Sequence, residues 1–284
     1  MPYQNIIYHQ EEAVAWITLN RPEKLNALSD DMMEELKDAF EKMAQDRTVS
    51  VCVLRGSGRA FCSGRDLGYL TNRIRKEKPQ EDVSGVLYAE HWRHQFGMTR
   101  QCAELLWRSP LVYIAQIHGY CVGAGWELAT FCDLIVAAED ARVVWRPTGG
   151  SGLLAHLWPW TIGLRKTKEI LFSGEYVTGK EAQQMGMINK SVPSQSLEHE
   201  VDSLARKVAR RPREFLYLDK IATNKAFEMM GLWNAWDYAI AAHITSHLTE
   251  SGREMADGFA NKSTNEVKEM LSKKVSPYTK KENK

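Results

Sequence analysis

Residues 118–133, HGYCVGAGWELATFCD, set one glutamate, Glu127, among Trp126, Leu128, Ala129, Phe131 and Cys132. Just ahead of it, Gly123 and Gly125 flank Ala124 where a strand hands over to a helix. The first N–H groups of a helix have no partner inside it, and small residues let a ligand come close to the main chain. A donor aimed at a carbonyl oxygen stabilises negative charge that develops there, by about 3 kcal/mol per donor in well-studied systems. Ser63-Gly64-Arg65-Asp66 is a second turn that could offer such a donor to the same oxygen. Glu127 is pulled two ways: the helix start favours its charged form, and its apolar neighbours favour the neutral one. A carboxyl group held between the two can pass protons near neutral pH. An ordinary tight turn and a first-turn acid capping its own helix are the plainer alternatives. GAGWEL also lacks the third glycine of a dinucleotide fingerprint.

Such turns need elements to hold them. AVAWITLN (13–20) and VCVLRG (51–56) read as strands, and the helix between them starts at Ser29 with Met32, Leu36, Phe40 and Met43 at helical spacing. Strand, helix, strand favours a right-handed parallel crossover. A long amphipathic stretch from about 84 to 108 stops at Ser109-Pro110, LVYIAQIHG and DLIVAA read as buried strands, and the glutamate segment is the helix between them. Residues 71–83 are polar and read as a loop. Beyond residue 165 the chain turns helical: RKTKEILFSG, GKEAQQMG, Leu197 to Ala209, and one stretch from Leu216 to about Leu248. The division expected is a core over residues 1–195, a helical region over 196–262 and a basic tail over 263–284.

Composition narrows the function. A chain of 284 residues, 44% hydrophobic, can bury a large core, and 37 basic against 36 acidic residues leave a net charge of +1, which gives nucleic acid or an anionic membrane no overall attraction. Five cysteines without paired metal-ligand spacing suggest reduced thiols in a cytosol-like compartment. No stretch approaches the roughly 20 apolar residues of a membrane helix, and MPYQNIIYHQEE lacks a signal-peptide pattern, so a cytoplasmic protein is expected. His91/His94 and His243/His247 have helical spacing but no HExxH-like company, so no metal site is expected; there is no GxSxG elbow either.

Four stretches in order, NRPEKLNALS (20–29), AFCSGRDL (60–67), IHGYCVGAGWELATFCDLIVAAEDA (117–141) and GKEAQQMGMINKSVP (179–193), resemble the signatures of the crotonase, or enoyl-CoA hydratase/isomerase, superfamily; the likeness spans roughly residues 5–262. The resemblance implies an α/β fold, a spiral of ββα units with a helical C-terminal region, in a homo-trimer or homo-hexamer. It implies an acyl-CoA substrate, with coenzyme A entering as part of that substrate and no separate cofactor. The Arg65 and Ala124 N–H groups would hold the thioester oxygen, so the backbone of Arg65 matters there, not its side chain. Lys24, Leu25, Asp66, Leu67 and Gly68 correspond to the coenzyme A contacts, with Gly123 and Gly125 shaping the oxyanion turn, and Phe259 and Lys262 match C-terminal positions that cover coenzyme A. Glu127 falls on one of the two glutamates that hydratases use as acid and base.

The second glutamate, usually in a Pro-Glu step, is missing: in VVWRPTGGSGLL (143–154) Pro147 is followed by Thr148. His156, Arg146, Thr148 and Ser151 are the nearby replacements, with His156 the candidate able to titrate near neutral pH. Trp126, Trp145, Trp158 and Trp160 crowd this region, as the lining of a pocket for a bulky or cyclic acyl group or as core. The reading is therefore an enoyl-CoA hydratase-type lyase that stabilises a thioester enolate. An isomerase, decarboxylase or hydrolase working with one carboxylate is the alternative, as is a non-catalytic relative serving as a binding or scaffold protein.

Overall fold

A computed structural model of the chain describes residues 3–66, 85–144, 157–246, 248–252, 254 and 266. Its strands, in chain order, are β1 (Ile6–Glu11), β2 (Val14–Leu19), β3 (Val51–Gly56), β4 (Val112–Ile117), β5 (Tyr120–Val122), β6 (Leu134–Ala138), β7 (Arg142–Val144), β8 (Val177–Thr178) and β9 (Lys190–Val192). The helices are α1 (Asp30–Gln45), α2 (Gly85–Arg108), α3 (Ala124–Thr130), α4 (Trp158–Thr161), α5 (Leu164–Ser173), α6 (Gly179–Gln184), α7 (Leu197–Ala209), α8 (Arg213–Met229) and α9 (Leu232–Ser246).

Two sheets share the strands. The larger runs β1-β2-β3-β4-β6-β9 and the smaller β5-β7-β8. In the larger sheet β1 pairs antiparallel with β2, and every later pairing is parallel. The chain climbs by one repeated step: β4 enters the large sheet, β5 the small one, and α3 returns; β6 and β7 divide in the same way. All six residues of β4 are buried, as befits a parallel strand covered on both faces. The Ser29 side chain caps α1 by accepting from Met32 N at 3.3 Å, and Met32, Met33, Leu36, Phe40 and Met43 are buried from that helix. Helix α7 buries Leu197, Val201 and Ala205 and packs against β3, β4 and β6.

The long helical stretch expected over 216–248 is two helices, because Gly231 adopts φ 96° between α8 and α9. Such a conformation ends a right-handed helix at little cost only for glycine. Helix α8 is fixed to the core by Lys220, whose buried Nζ donates to Leu106 O at 2.6 Å, Leu111 O at 2.8 Å and Asp133 Oδ2 at 2.8 Å. The same Asp133 oxygen accepts from Tyr113 N at 2.8 Å, so one pair ties α8 to the end of α2, the start of β4 and the turn after α3. Removing one partner of a buried ion pair leaves the other charge uncompensated, and Lys220→Met is expected to lower stability by about 3–5 kcal/mol in urea unfolding. A change below about 1 kcal/mol would mean that the pair is solvated.

Candidate active site

Three segments far apart in sequence meet at one end of the parallel strands. The first is the turn after β2. Leu25 (φ 51°) and Asn26 (φ 55°) take left-handed conformations there, and Asn26 is fully buried. The Asn26 side chain accepts from Arg21 N at 2.9 Å and donates to Ser57 O and Ala60 O, both at 2.8 Å, which fastens the turn to the chain leaving β3. Satisfying all these main-chain groups offsets the backbone strain of two left-handed residues.

The second segment, residues 61–66, runs between the other two. Toward the first it is held by Ser63 N to Leu25 O at 3.0 Å, Leu28 N to Gly64 O at 2.8 Å and Asp66 N to Leu28 O at 3.0 Å. Arg21 Nη2 donates to Asp66 Oδ2 at 2.8 Å, and Ser63 Oγ to Lys24 O at 3.3 Å. Toward the third segment, residues 118–127 after β4, Phe61 N donates to His118 O at 2.9 Å, Cys62 N to Tyr120 O at 3.0 Å, and Val122 N to Cys62 O at 2.9 Å. Lys24, Leu25, Arg65 and Asp66 thus lie together, with Lys24 exposed and the Asp66 carboxylate engaged by Arg21.

Glycine allows the two turns to touch. At Gly64, φ 96°, a Cβ would stand 3.0 Å from Val122 O and 3.8 Å from Ala124 N. At Gly125 a Cβ would fall 2.6 Å from Cys62 Cβ and 2.7 Å from its Sγ, closer than atoms can pack. In this arrangement the Arg65 and Ala124 N–H groups donate no hydrogen bond among the described residues. An unpartnered amide is costly unless solvent or a ligand takes it. Two such donors on touching turns can converge on one oxygen.

Glu127 sits in the first turn of α3, 3% exposed, and its carboxyl accepts no hydrogen bond among the described residues. Burial pushes its pKa up to about 7, against the opposing pull of the Arg65 guanidinium. The acid is therefore poised to exchange protons near neutrality. Burial also pushes the Cys62 thiol up to about 12, which leaves it an unreactive packing group. Among the described residues no three His, Cys, Asp or Glu side chains are grouped to hold a metal ion.

The side chain of Arg65 was not singled out by the sequence reading. Its Nη2 donates to Gln95 O at 2.7 Å and to Thr99 Oγ1, both on α2. The signal was an arginine inside a glycine turn bounded by apolar residues. Asn26 was also missed, and there a non-glycine residue at positive φ gives no sign in sequence.

Trp126 and Trp158 are buried, and with Trp107 and Phe227 they line a cavity of about 480 Å³ whose wall includes neither Glu127, Arg65 nor Ala124; Trp160 is 37% exposed. Leu67, Gly68, Trp145, Arg146, Thr148, Ser151, His156, Phe259 and Lys262 lie outside the described residues, as do the 71–83 loop and all of the basic tail but residue 266.

The profile of the family described as Enoyl-CoA hydratase/isomerase matches residues 9–270. The chain is 36% identical to EchA13 of Mycobacterium tuberculosis over 251 residues, covering 82% of this chain and 77% of that one. It is 30% identical to the hydroxycinnamoyl-CoA hydratase-lyase of Pseudomonas fluorescens, covering 86% of this chain and 87% of that one. A crystal structure of an enoyl-CoA hydratase from Mycobacterium smegmatis superposes with a TM-score of 0.83 at 25% identity, over 97% of this chain and 96% of that one. The spiral of ββα units is thus the fold of solved hydratases, and a match over residues 9–270 means that this chain belongs to the enoyl-CoA hydratase/isomerase family.

Proposed function

We propose that this enzyme is a hydratase-type lyase acting on an enoyl-CoA thioester, with the Arg65 and Ala124 amides as its oxyanion hole and Glu127 as its proton-exchanging group. The observation that carries the reading is the pair of amides without partners on touching turns, beside a buried carboxyl pushed up to about 7. As water adds to the β-carbon, electron density moves onto the thioester oxygen; the two N–H groups stabilise that oxyanion more strongly than the ground-state carbonyl, which lowers the barrier. The enolate then collects a proton at its α-carbon from Glu127, and the water's proton returns to the carboxylate. Lys24, Leu25 and Asp66 would meet coenzyme A from the edge of the same site.

The likeness to a hydroxycinnamoyl-CoA hydratase-lyase favours an aromatic or otherwise bulky acyl group. Thr148 after Pro147, where hydratases carry their second acid, favours a rival reading, a one-carboxylate isomerase that moves a proton between carbons. Among the described residues, exposed apolar side chains on α8 and α9, Phe215, Leu218, Met229 and Tyr238, support a trimer or hexamer, which light scattering decides. No helix among the described residues is long and apolar enough to cross a membrane.

Crotonyl-CoA, cinnamoyl-CoA and a 3-enoyl-CoA supplied in parallel separate the readings. Loss of the conjugated-thioester absorbance with the first two is the expected result. Gain of that absorbance from the 3-enoyl-CoA alone would establish the isomerase instead, and inertness toward all three would remove both.

A further inference from the structure

Arg65 is placed twice over. Its backbone lies in the oxyanion turn, and its side chain runs inward to α2, where Nη2 is held by Gln95 O and Thr99 Oγ1. Nε and Nη1 are shut off from solvent and have no partner among the described residues. A guanidinium cannot shed its charge, so three idle N–H donors, one on Nε and two on Nη1, are an unbalanced arrangement on a buried cation. The complementary group is on α3, whose first turn touches the 61–66 segment. Among the described residues Glu127 is buried, accepts no hydrogen bond, and is the strongest attractive charge acting on Arg65.

Other groups around the pair do not take its place. Asp30, on α1, also attracts Arg65, but its Oδ1 already accepts from Gln95 Nε2 at 2.6 Å and its Oδ2 stands 3.9 Å from His94 Nε2. Cys102 on α2 and Cys62 in the 61–66 segment face Arg65 as neutral thiols, each pushed up to about 12 by burial. Around Glu127, Arg65 is the one charged group acting among the described residues. The two make no ion-pair contact in this structure, where the only partners of the guanidinium among the described residues are those of Nη2.

We propose that Arg65 is the positioning residue of Glu127: anchored at Nη2, it turns its Nε and Nη1 donors to the Glu127 carboxylate whenever that group is ionised, and releases it on protonation. This rests on Glu127 being the proton-exchanging acid. When Glu127 gives its proton to the acyl α-carbon, the carboxylate left behind is met by a cation already in place; when the proton returns, the contact opens. Arg65 stays protonated throughout. One residue would then serve the thioester oxygen with its backbone and the acid with its side chain.

The test follows the acid directly, without turnover. Protein labelled with 13C at the glutamate δ-carbon is titrated by NMR, and the Glu127 signal is identified by its loss in Glu127→Gln. Arg65→Gln keeps the backbone N–H and removes the charge, and is expected to raise the Glu127 midpoint by about 1–2 pH units, with most of the rise reversed in Arg65→Lys. An unmoved midpoint in Arg65→Gln would overturn the proposal. A second measurement needs no change at residue 65: the wild-type Arg65 Nε–H resonance should move with the Glu127 midpoint and lose that movement in Glu127→Gln. A resonance flat across that range would equally overturn it. A shifted midpoint in a protein that turns over no enoyl-CoA would leave this pairing standing and remove the reaction proposed above; an unmoved midpoint in an active hydratase would do the reverse.

Discussion

Glu127→Gln should lower kcat by about 10²–10⁴-fold with KM little changed, since the amide keeps the shape of the carboxyl and cannot exchange a proton. Binding of the thioester rests on other groups, so affinity for a saturated acyl-CoA should persist. The same substitution should stabilise the protein at alkaline pH. In the folded chain Glu127 holds its proton up to about 7, whereas its unperturbed value is 4.5. Between those values the folded state binds more protons than the unfolded one, so wild-type stability falls as pH rises through that window. The loss amounts to about 3 kcal/mol once the window is passed. A glutamine carries no such dependence. Urea unfolding at pH 4.5 and at pH 8 should therefore show the variant gaining on the wild type by about 3 kcal/mol between the two. A difference that stays constant with pH would mean that the carboxyl is solvated, and the acid assigned here would be the wrong one.

The second large effect is expected at Gly125. An added Cβ would lie 2.6 Å from Cys62 Cβ and 3.1 Å from Cys62 O, so Gly125→Ala must push α3 away from the 61–66 segment. Overpacking of this kind costs about 1–3 kcal/mol of stability. The functional loss should be greater, because in the proposed oxyanion hole the two amides can face one oxygen only while the turns touch. Displacing one donor is worth about 10²–10³ in kcat. Cys62→Gly added to Gly125→Ala removes both side-chain clashes and leaves the carbonyl contact, so partial recovery of kcat is the expected result. Cys62→Ala retains the Cβ and should recover little. If Gly125→Ala alone matched the wild type in kcat, the close approach of the turns would have no catalytic role.

Much of this architecture could be read before any coordinates, for physical reasons that differ between elements. The periodic apolar face of α1 and its Ser29 cap, the six buried residues of β4, and the span of α7 are local patterns, and the structure has them where they were expected. Strands β5 and β7 span three residues each, too short for alternation to register, and they exist because the small sheet pairs them with one another. The break at Gly231 was hidden inside an otherwise continuous helical stretch. In the site, Glu127 and the glycines of both turns stood out by residue type. The contact between the turns did not, because it is made by main-chain bonds from Phe61 and Cys62 to His118 and Tyr120, and peptide groups look alike in any sequence. The order of four motifs supplied that link by resemblance. The inward course of the Arg65 side chain had no counterpart in pattern or motif.

The two idle peptide N–H groups have a practical corollary for anyone surveying this enzyme by mutation. Every amino acid except proline brings the same N–H to positions 65 and 124, so replacing the side chain at either, with alanine at 65 for example, leaves that hydrogen intact and reports side-chain effects alone. A modest phenotype there would say nothing about its importance. Replacing the peptide linkage with an ester at either position, by incorporating an α-hydroxy acid, deletes the hydrogen and keeps the side chain, and is the substitution to which the chemistry of this enzyme should be most sensitive.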